Sequence, residues 1–238
     1  MSLPPLSVVV VARNEARRLP ALLADLAAGS ALVREVLVVD GDSGDRTAAA
    51  ARLAGAQVLW EPPSRGRQLA RGVDASSATW LLLLHADVRL PAGWQHQVGA
   101  VLGRQDVPAP GRREEAWCFP LAIEGRSAAL RLVERGVALR SRWRQLPYGD
   151  QGLLLPRRLY EASGGIAPLP LMEDLDFVLR LRTRARIRCL PEAVTVNGRR
   201  WHQRGVWATT LANARLRRAW RRGVPPEALA AIYGQTAP

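Results

Sequence analysis

Apolar stretches of strand length alternate with longer amphipathic stretches through most of the chain. Leu6–Ala12 reads LSVVVVA, an unbroken β-branched run that suits a strand buried on both faces. Leu19, Leu22, Leu23 and Leu26 then recur at helical spacing within 17–28, with charged residues between them. The same alternation predicts strands at 35–39, Gln57–Trp60 and 80–84, and helices at 46–53 and 65–76. Strand and helix in regular succession over the first 90 residues are the signature of a parallel sheet with right-handed crossovers. The rhythm breaks at 103–116 (GRQDVPAPGRREEA), where Pro, Gly and mixed charge predict a surface loop. Beyond it the pattern predicts strands at 117–123, 151–155 and 186–190, and helices at 126–142, 156–162, 175–184 and 203–223. There is no internal repeat and no clean linker, so the expected organisation is an α/β domain over 1–202. A basic helical extension over 203–238 is expected on or beside it.

Composition narrows the class. The chain has 238 residues, 48% apolar and 5% aromatic, which suits a globular enzyme and excludes a disordered chain. All 34 basic residues are arginine, and against 21 acids they leave a net charge of +13. A GC-rich genome accounts for the absence of lysine; an affinity for phosphates or an anionic membrane surface accounts for the excess charge. Charge alone would also admit a nucleic-acid binder, but no helix-turn-helix, RRM or zinc signature is present. Cys118 and Cys189 have no C-x-x-C spacing, which argues against a disulfide framework or a zinc site. The apolar runs fall far short of the roughly 20 residues that a spanning helix needs. Strand patterning begins almost at once, leaving no room for a targeting segment, so the expected place is the cytoplasm, at most peripherally at the inner membrane face.

In a parallel sheet, ligands bind outside the carboxyl ends of the strands. The first strand ends in Ala12-Arg13-Asn14-Glu15, the second in Asp40-Gly41-Asp42-Ser43-Gly44-Asp45-Arg46-Thr47 and the fourth in His85-Ala86-Asp87. Three strands therefore deliver amides and carboxylates to one edge. A helix-cap role competes at each place: Asn14 suits an N-cap, and Ser43 or Asp45 suits the start of the next helix.

With these residues in hand, the chain resembles the family 2 glycosyltransferases of the GT-A nucleotide-diphospho-sugar transferase fold, an α/β fold with a mostly parallel central sheet flanked by helices. That family carries an N-E pair after strand one, a V-D-D-G-S-x-D-x-T turn after strand two, a D-x-D after strand four and a later E-D pair. Leu83-Leu84-His85-Ala86-Asp87-Val88, Arg65-Gly66-Arg67-Gln68 and Gly198-Arg199-Arg200-Trp201 are similar to a bacterial subfamily described as radical-SAM/selenodomain-associated. The resemblance implies donor contacts at Ala12, Asn14, Glu15, Asp40, Asp42, Arg65, Gln68, His85, Ala86, Arg200 and Trp201. It implies a divalent cation, Mg²⁺ or Mn²⁺, held at Asp87 with His85 in the place of the usual partner acid. It also implies catalysis at the Glu173-Asp174 pair, Asp174 taking the proton from an acceptor hydroxyl with inversion at the anomeric carbon.

Two departures stand out: His85 replaces the first acid of the D-x-D, and Gly41-Asp42 reverses the family's Asp-Gly. They keep open a non-catalytic nucleotide-sugar-binding module. A sugar or cofactor nucleotidyltransferase fits less well, because the first strand end has no glycine and the chain no lysine. Tyr148, Gly149, Asp150 and Gln151 fall on the expected acceptor side. In the tail, Val206, Trp207, Leu211, Leu216 and Trp220 interleave with Arg204, Arg215, Arg217, Arg218, Arg221 and Arg222. Such a helix either lies on anionic headgroups or packs its apolar face on the domain.

Overall fold

Leu6–Ala12 forms strand β1, buried at every position because it runs through the middle of a sheet covered on both faces. The computed structural model describes residues 4–103 and 113–235. After β1 come α1 (Leu19–Ala27), β2 (Val33–Asp40), α2 (Thr47–Leu53), β3 (Gln57–Trp60), α3 (Arg65–Ala75) and β4 (Trp80–His85). The chain continues with β5 (Val88–Arg89), α4 (Trp94–Leu102), β6 (Glu114–Cys118), β7 (Leu121–Ile123) and α5 (Ala128–Arg144). Then follow β8 (Leu153–Pro156), α6 (Arg157–Ala162), α7 (Glu173–Arg184), β9 (Ala185–Cys189), β10 (Val194–Val196), α8 (Arg199–Arg204), α9 (Val206–Arg221) and α10 (Pro226–Gln235).

The large sheet has the order β3-β2-β1-β4-β8-β6-β9, and β5-β10-β7 form a small second sheet. β1 pairs in parallel with β2 and β4, and β2 with β3, while β8 runs antiparallel to both β4 and β6. β8 is thus the one reversed strand of the large sheet among the described residues. Successive side chains of a strand point to opposite faces. Val8, Val10, Leu82 and Leu84 accordingly enter a core shared with α1, α4 and the small sheet, while Val9, Val11, Leu81 and Leu83 enter one shared with α3, α6 and α7. Burying each such Val or Leu contributes about 1.5–3 kcal/mol. The C-terminal helices join the second layer, with Leu216 of α9 and Leu229 of α10 buried in it. Among the described residues, no helix is long and apolar enough to cross a membrane.

Several expected boundaries move for local reasons. The strand expected at 117–123 divides between the two sheets, with Phe119 and Pro120 at the corner, where proline has no N–H for a ladder. The end of the expected 103–116 loop belongs to β6 from Glu114 onward, and positions 104–112 lie outside the described residues. Gly149–Gln151 forms a short 3-10 turn, so β8 starts two residues later than the apolar pattern suggests. β5 and β10 are too short to announce themselves by periodicity, and α4 opens on Gly93 at φ +77 without a side-chain cap.

Candidate functional site

The strand-end loops are stitched to each other. Asn14 occupies the left-handed region at φ 55, and its side-chain oxygen accepts from the Gly44 N–H at 2.9 Å. The Asn14 N–H donates to Ser43 Oγ, the Glu15 N–H to Thr47 Oγ1 and the Ala16 N–H to Asp45 Oδ2. Asp40 is buried and accepts from both the N–H and the hydroxyl of Ser43, at 3.1 and 2.5 Å. Asp42 is exposed at φ 61. Beneath them the Ala12 carbonyl accepts from the Gly41 N–H at 2.8 Å. Gln68 is buried under the same turn, its Nε2 donating to the Ala12 and Val39 carbonyls at 3.2 and 2.8 Å.

β4 ends at His85. Ala86 is buried and its N–H donates to the Val11 carbonyl, which carries the β1 ladder one residue past the strand and fixes where Asp87 leaves it. Because β8 is antiparallel to β4, with Leu83 facing Leu153, the loop that enters β8 lies against the end of β4. Gly149 in that loop is so close to His85 that a Cβ added there would lie 2.8 Å from the imidazole Nε2 and 3.5 Å from Asp174 Oδ2. That loop is held by Gln151, which is fully buried, accepts from Arg140, Ser141 and the Tyr148 N–H, and donates to the Phe119 carbonyl.

α7 precedes β9, which runs in the same direction as β1 and β4, so the helix runs back from the strand-end edge and starts there. Its N-cap, Met172, sits at φ 67, an uncommon conformation for a non-glycine residue. Asp174 Oδ2 accepts from the Gly149 N–H at 2.7 Å, and Oδ1 from the Leu175 N–H. Glu173 is 2% exposed, with Oε2 lacking a hydrogen-bond partner. Burial, reinforced by the Asp174 charge, pushes its carboxyl up to about 8 against the opposing pull of Arg65. Burial likewise raises Asp150 to about 6, with Arg140 opposing and Asp174 and Asp87 adding to the shift. It depresses His85 to about 4, assisted by Arg65 and opposed by Asp87 and Asp174. His85 Nε2 and Asp150 Oδ1 are both buried without a hydrogen-bond partner.

Arg65 reaches this cluster because Ser64 Oγ and the Gly66 N–H both donate to the Leu169 carbonyl, docking the start of α3 on the segment before α7. Only glycine fits at 66: a Cβ would meet the Ala167 carbonyl oxygen at 2.3 Å. Burial works against the Arg65 charge, yet Tyr233, Glu173 and Asp87 around it raise its proton affinity above the ordinary guanidinium value. Tyr233 of α10 faces the same arginines: the Arg200 guanidinium lies 4.2 Å from its ring centre and donates to its hydroxyl, and Arg65 lies 5.7 Å away. Trp201 is half-buried against the first core, with Nε1 lacking a hydrogen-bond partner. Burial raises the Glu15 carboxyl, with Arg18 opposing and Asp87 adding to the shift.

The edge therefore holds Glu15, Arg65, His85, Asp87, Asp150, Glu173 and Asp174 within electrostatic reach of one another. Of these, His85 and Asp174 also line a small, largely apolar pocket together with Tyr148 and Gly149. Residues 7–119 match the sequence model of glycosyl transferase family 2. This stretch is similar to the family 2 glycosyltransferases. An uncharacterized glycosyltransferase of Mycobacterium tuberculosis is 37% identical to the chain over 108 residues, 45% of this chain and 48% of that protein. The chain thus spans about half the length of the curated relatives it matches.

Two solved structures show the same GT-A fold. TarS of S. aureus in complex with UDP superposes with a TM-score of 0.62 at 17% identity, covering 81% of this chain and 60% of that one. Glucosyl-3-phosphoglycerate synthase from Mycobacterium tuberculosis in complex with Mn²⁺, UDP and phosphoglyceric acid gives 0.59 at 21% identity, covering 92% and 79%.

The stretch that matches the family model contains most of the expected donor-side residues, and the remainder come from later elements. Asp40 and His85 end β2 and β4, Arg65 opens α3, and Glu15, Asp42 and Asp87 lie in the loops of the same edge. Gln68 lies beneath this edge, its amide N–H₂ donating to the Ala12 and Val39 carbonyls. Ala12 and Ala86 take part through their backbone alone. Asn14, Ser43 and Asp45 bind the loops together rather than standing at the expected helix N-caps, which are Arg18 for α1 and Arg46 for α2, both without a side-chain cap bond. Tyr233 and the contact of Gly149 with His85 went unforeseen. Neither has a local signal, since each is made by elements far apart in the chain.

Proposed function

We propose that this chain transfers a sugar from a nucleotide-diphosphate donor to an acceptor hydroxyl by direct displacement with inversion. The observation that carries the reading is that His85 and Asp174, which belong to the two halves of such a reaction, line one pocket across Gly149. On this reading Asp174 takes the proton of the acceptor hydroxyl and the freed oxygen attacks the anomeric carbon. The bond from that carbon to the diphosphate oxygen breaks, and its electron pair leaves with the diphosphate. Arg65, anchored among Glu173, Asp87 and Tyr233, is placed to face that negative charge. Glu173, buried and pushed towards its neutral form, positions Arg65 and the start of α7 rather than touching substrate. The unit 1–202 would carry the transfer, with 203–238 as its helical extension.

The side chains fit a divalent cation in a limited way. Asp87 supplies a hard oxygen, and His85 presents a buried Nε2 with no hydrogen-bond partner. Among the described residues no three His, Cys, Asp or Glu side chains are grouped to hold a metal by themselves, so substrate phosphates would complete the shell. A bound Mg²⁺ or Mn²⁺ supplies neutralisation of the departing diphosphate. The presence of Mn²⁺ and UDP in the synthase complex, and of UDP in the TarS complex, supports testing these groups first.

A thermal-shift screen of nucleotide sugars with Mn²⁺ or Mg²⁺, followed by turnover of the best binder, tests the reading. Asp87→Ala should lose metal-dependent donor binding, whereas Asp174→Asn should bind donor and fail to transfer. Transfer at the normal rate by the Asn variant removes Asp174 as the base. Donor binding without turnover by metal-loaded wild type favours a binding module, and the replacement of the first D-x-D acid by His85 is the feature that would explain it.

A further inference from the structure

Five arginines gather between α5 and α9. Arg140 and Arg144 of α5 and Arg217, Arg218 and Arg221 of α9 line an open cleft of about 440 Å³. No carboxylate lines it, and none of the five belongs to any ion pair among the described residues. Elsewhere, Arg67, Arg89, Arg158 and Arg188 each pair with an acid. The hydrogen bonds of Arg140 go to neutral acceptors, the Leu146 carbonyl and Gln151 Oε1. Arg140 and Arg217 both approach the ring of Tyr148, their guanidinium carbons 3.6 and 5.1 Å from its centre. Cations gathered like this repel one another unless an anion sits among them, and planar guanidinium forks match the oxygens of a phosphate.

The cleft is joined to the reaction centre. Tyr148 lines both the cleft and the pocket of His85 and Asp174, and the next residue, Gly149, donates its N–H to Asp174. We propose that the α5–α9 cleft seats a phosphate group of the acceptor, so that the compound receiving the sugar is a phosphorylated alcohol whose hydroxyl reaches Asp174 past Tyr148. This rests on the reading of Asp174 as the base. A small soluble phosphomonoester and a lipid headgroup present the same chemistry, and both can enter a cleft that opens to solvent.

The test uses the full chain and an Arg217→Ala/Arg218→Ala variant. One arm titrates sn-glycerol 3-phosphate by equilibrium dialysis. The other measures cosedimentation with phosphatidylglycerol vesicles, against oleate vesicles of equal surface charge. Wild type should bind the monoester, or the phosphatidylglycerol vesicles in preference to the oleate ones. The variant should bind that ligand about tenfold more weakly or worse. A monoester result identifies a soluble source and a vesicle result a lipid-linked one. Equal binding by wild type and variant, no binding of either phosphate, or equal affinity for oleate vesicles overturns the proposal. Failure of the transferase reading registers separately, as absence of a metal-dependent donor shift in wild type or as transfer by Asp174→Asn.

Discussion

Gly149→Ala probes the site's geometry with a single methyl group. Gly149 is absent from the residues with positive φ, so alanine brings no backbone strain and keeps the N–H that donates to Asp174. The added Cβ would lie 2.8 Å from His85 Nε2, 3.0 Å from Cε1 and 3.5 Å from Asp174 Oδ2. Non-bonded atoms settle near 3.5–4.0 Å, so the imidazole must retreat by roughly 0.5–1 Å while the carboxylate, already at contact distance, keeps its donor. Misplacement on the order of 1 Å can cost about a hundredfold in rate, so kcat should fall roughly ten- to a hundredfold. Overpacking should lower the unfolding free energy by about 1–3 kcal/mol, which leaves the protein folded at room temperature. The assay is metal-dependent release of nucleoside diphosphate from the best-binding donor, with circular-dichroism melting on the same samples. A folded Gly149→Ala protein with wild-type kcat would refute the claim that this glycine spaces His85 from Asp174 for the reaction.

Other outcomes follow from the same geometry. Glu173 has a folded-state pKa raised from an ordinary 4.5 to about 8, so the folded protein binds the extra proton and its stability falls as pH rises between those values. Glu173→Gln removes that slope: from pH 5 to pH 8 wild type should lose stability relative to the variant by a few kcal/mol, read from urea midpoints at each pH. Parallel curves would show that Glu173 ionises freely. Gln68→Leu should cost about 1–3 kcal/mol by removing a buried donor from the Val39 carbonyl and leaving the Ala12 carbonyl only the Gly41 N–H; loss of donor affinity at unchanged stability would instead make the amide a donor contact. Gly66→Ala, with its Cβ 2.3 Å from a backbone oxygen, should weaken donor binding by displacing Arg65, and an undisturbed thermal shift would contradict that placement.

The first half of the fold was legible because its strands are long, β-branched and buried on both sides: β1 and β3 have the boundaries that apolar runs alone suggest. Strand-end acids were equally visible, since Asp40, His85 and Asp87 follow uninterrupted apolar stretches and have nowhere to go but the sheet edge. Gln68 has a structural role that the sequence pattern does not show. A polar side chain near other polar motifs reads as ligand-facing, whereas the carbonyls at parallel strand ends themselves demand a buried donor. The contact of Gly149 with His85, the placement of Tyr233 and the joining of the α5 and α9 arginines in one cleft were invisible because reversed β8 and the returning helices α9 and α10 create them, and none of those arrangements leaves a local period. The tail pattern raised two alternatives, and Leu216 lies buried in the core while Trp207 and Leu211 stay exposed.

The single reversed strand sets how such a molecule can change. The family match ends at Phe119, and the residues that face His85 across the pocket come later in the chain, Pro147–Gly149, Ile166 and the first turns of α7, as do the arginines of the neighbouring cleft. Yet β8 is laddered to β4 from Trp80 to Leu83, so that later wall rides on the strand that ends in His85. Residues of the second half can therefore be exchanged one at a time, altering what is grasped there, without loosening the register that holds both walls face to face. Sequence drift is free to accumulate on one side of the cleft while the distance across it stays fixed by backbone hydrogen bonds.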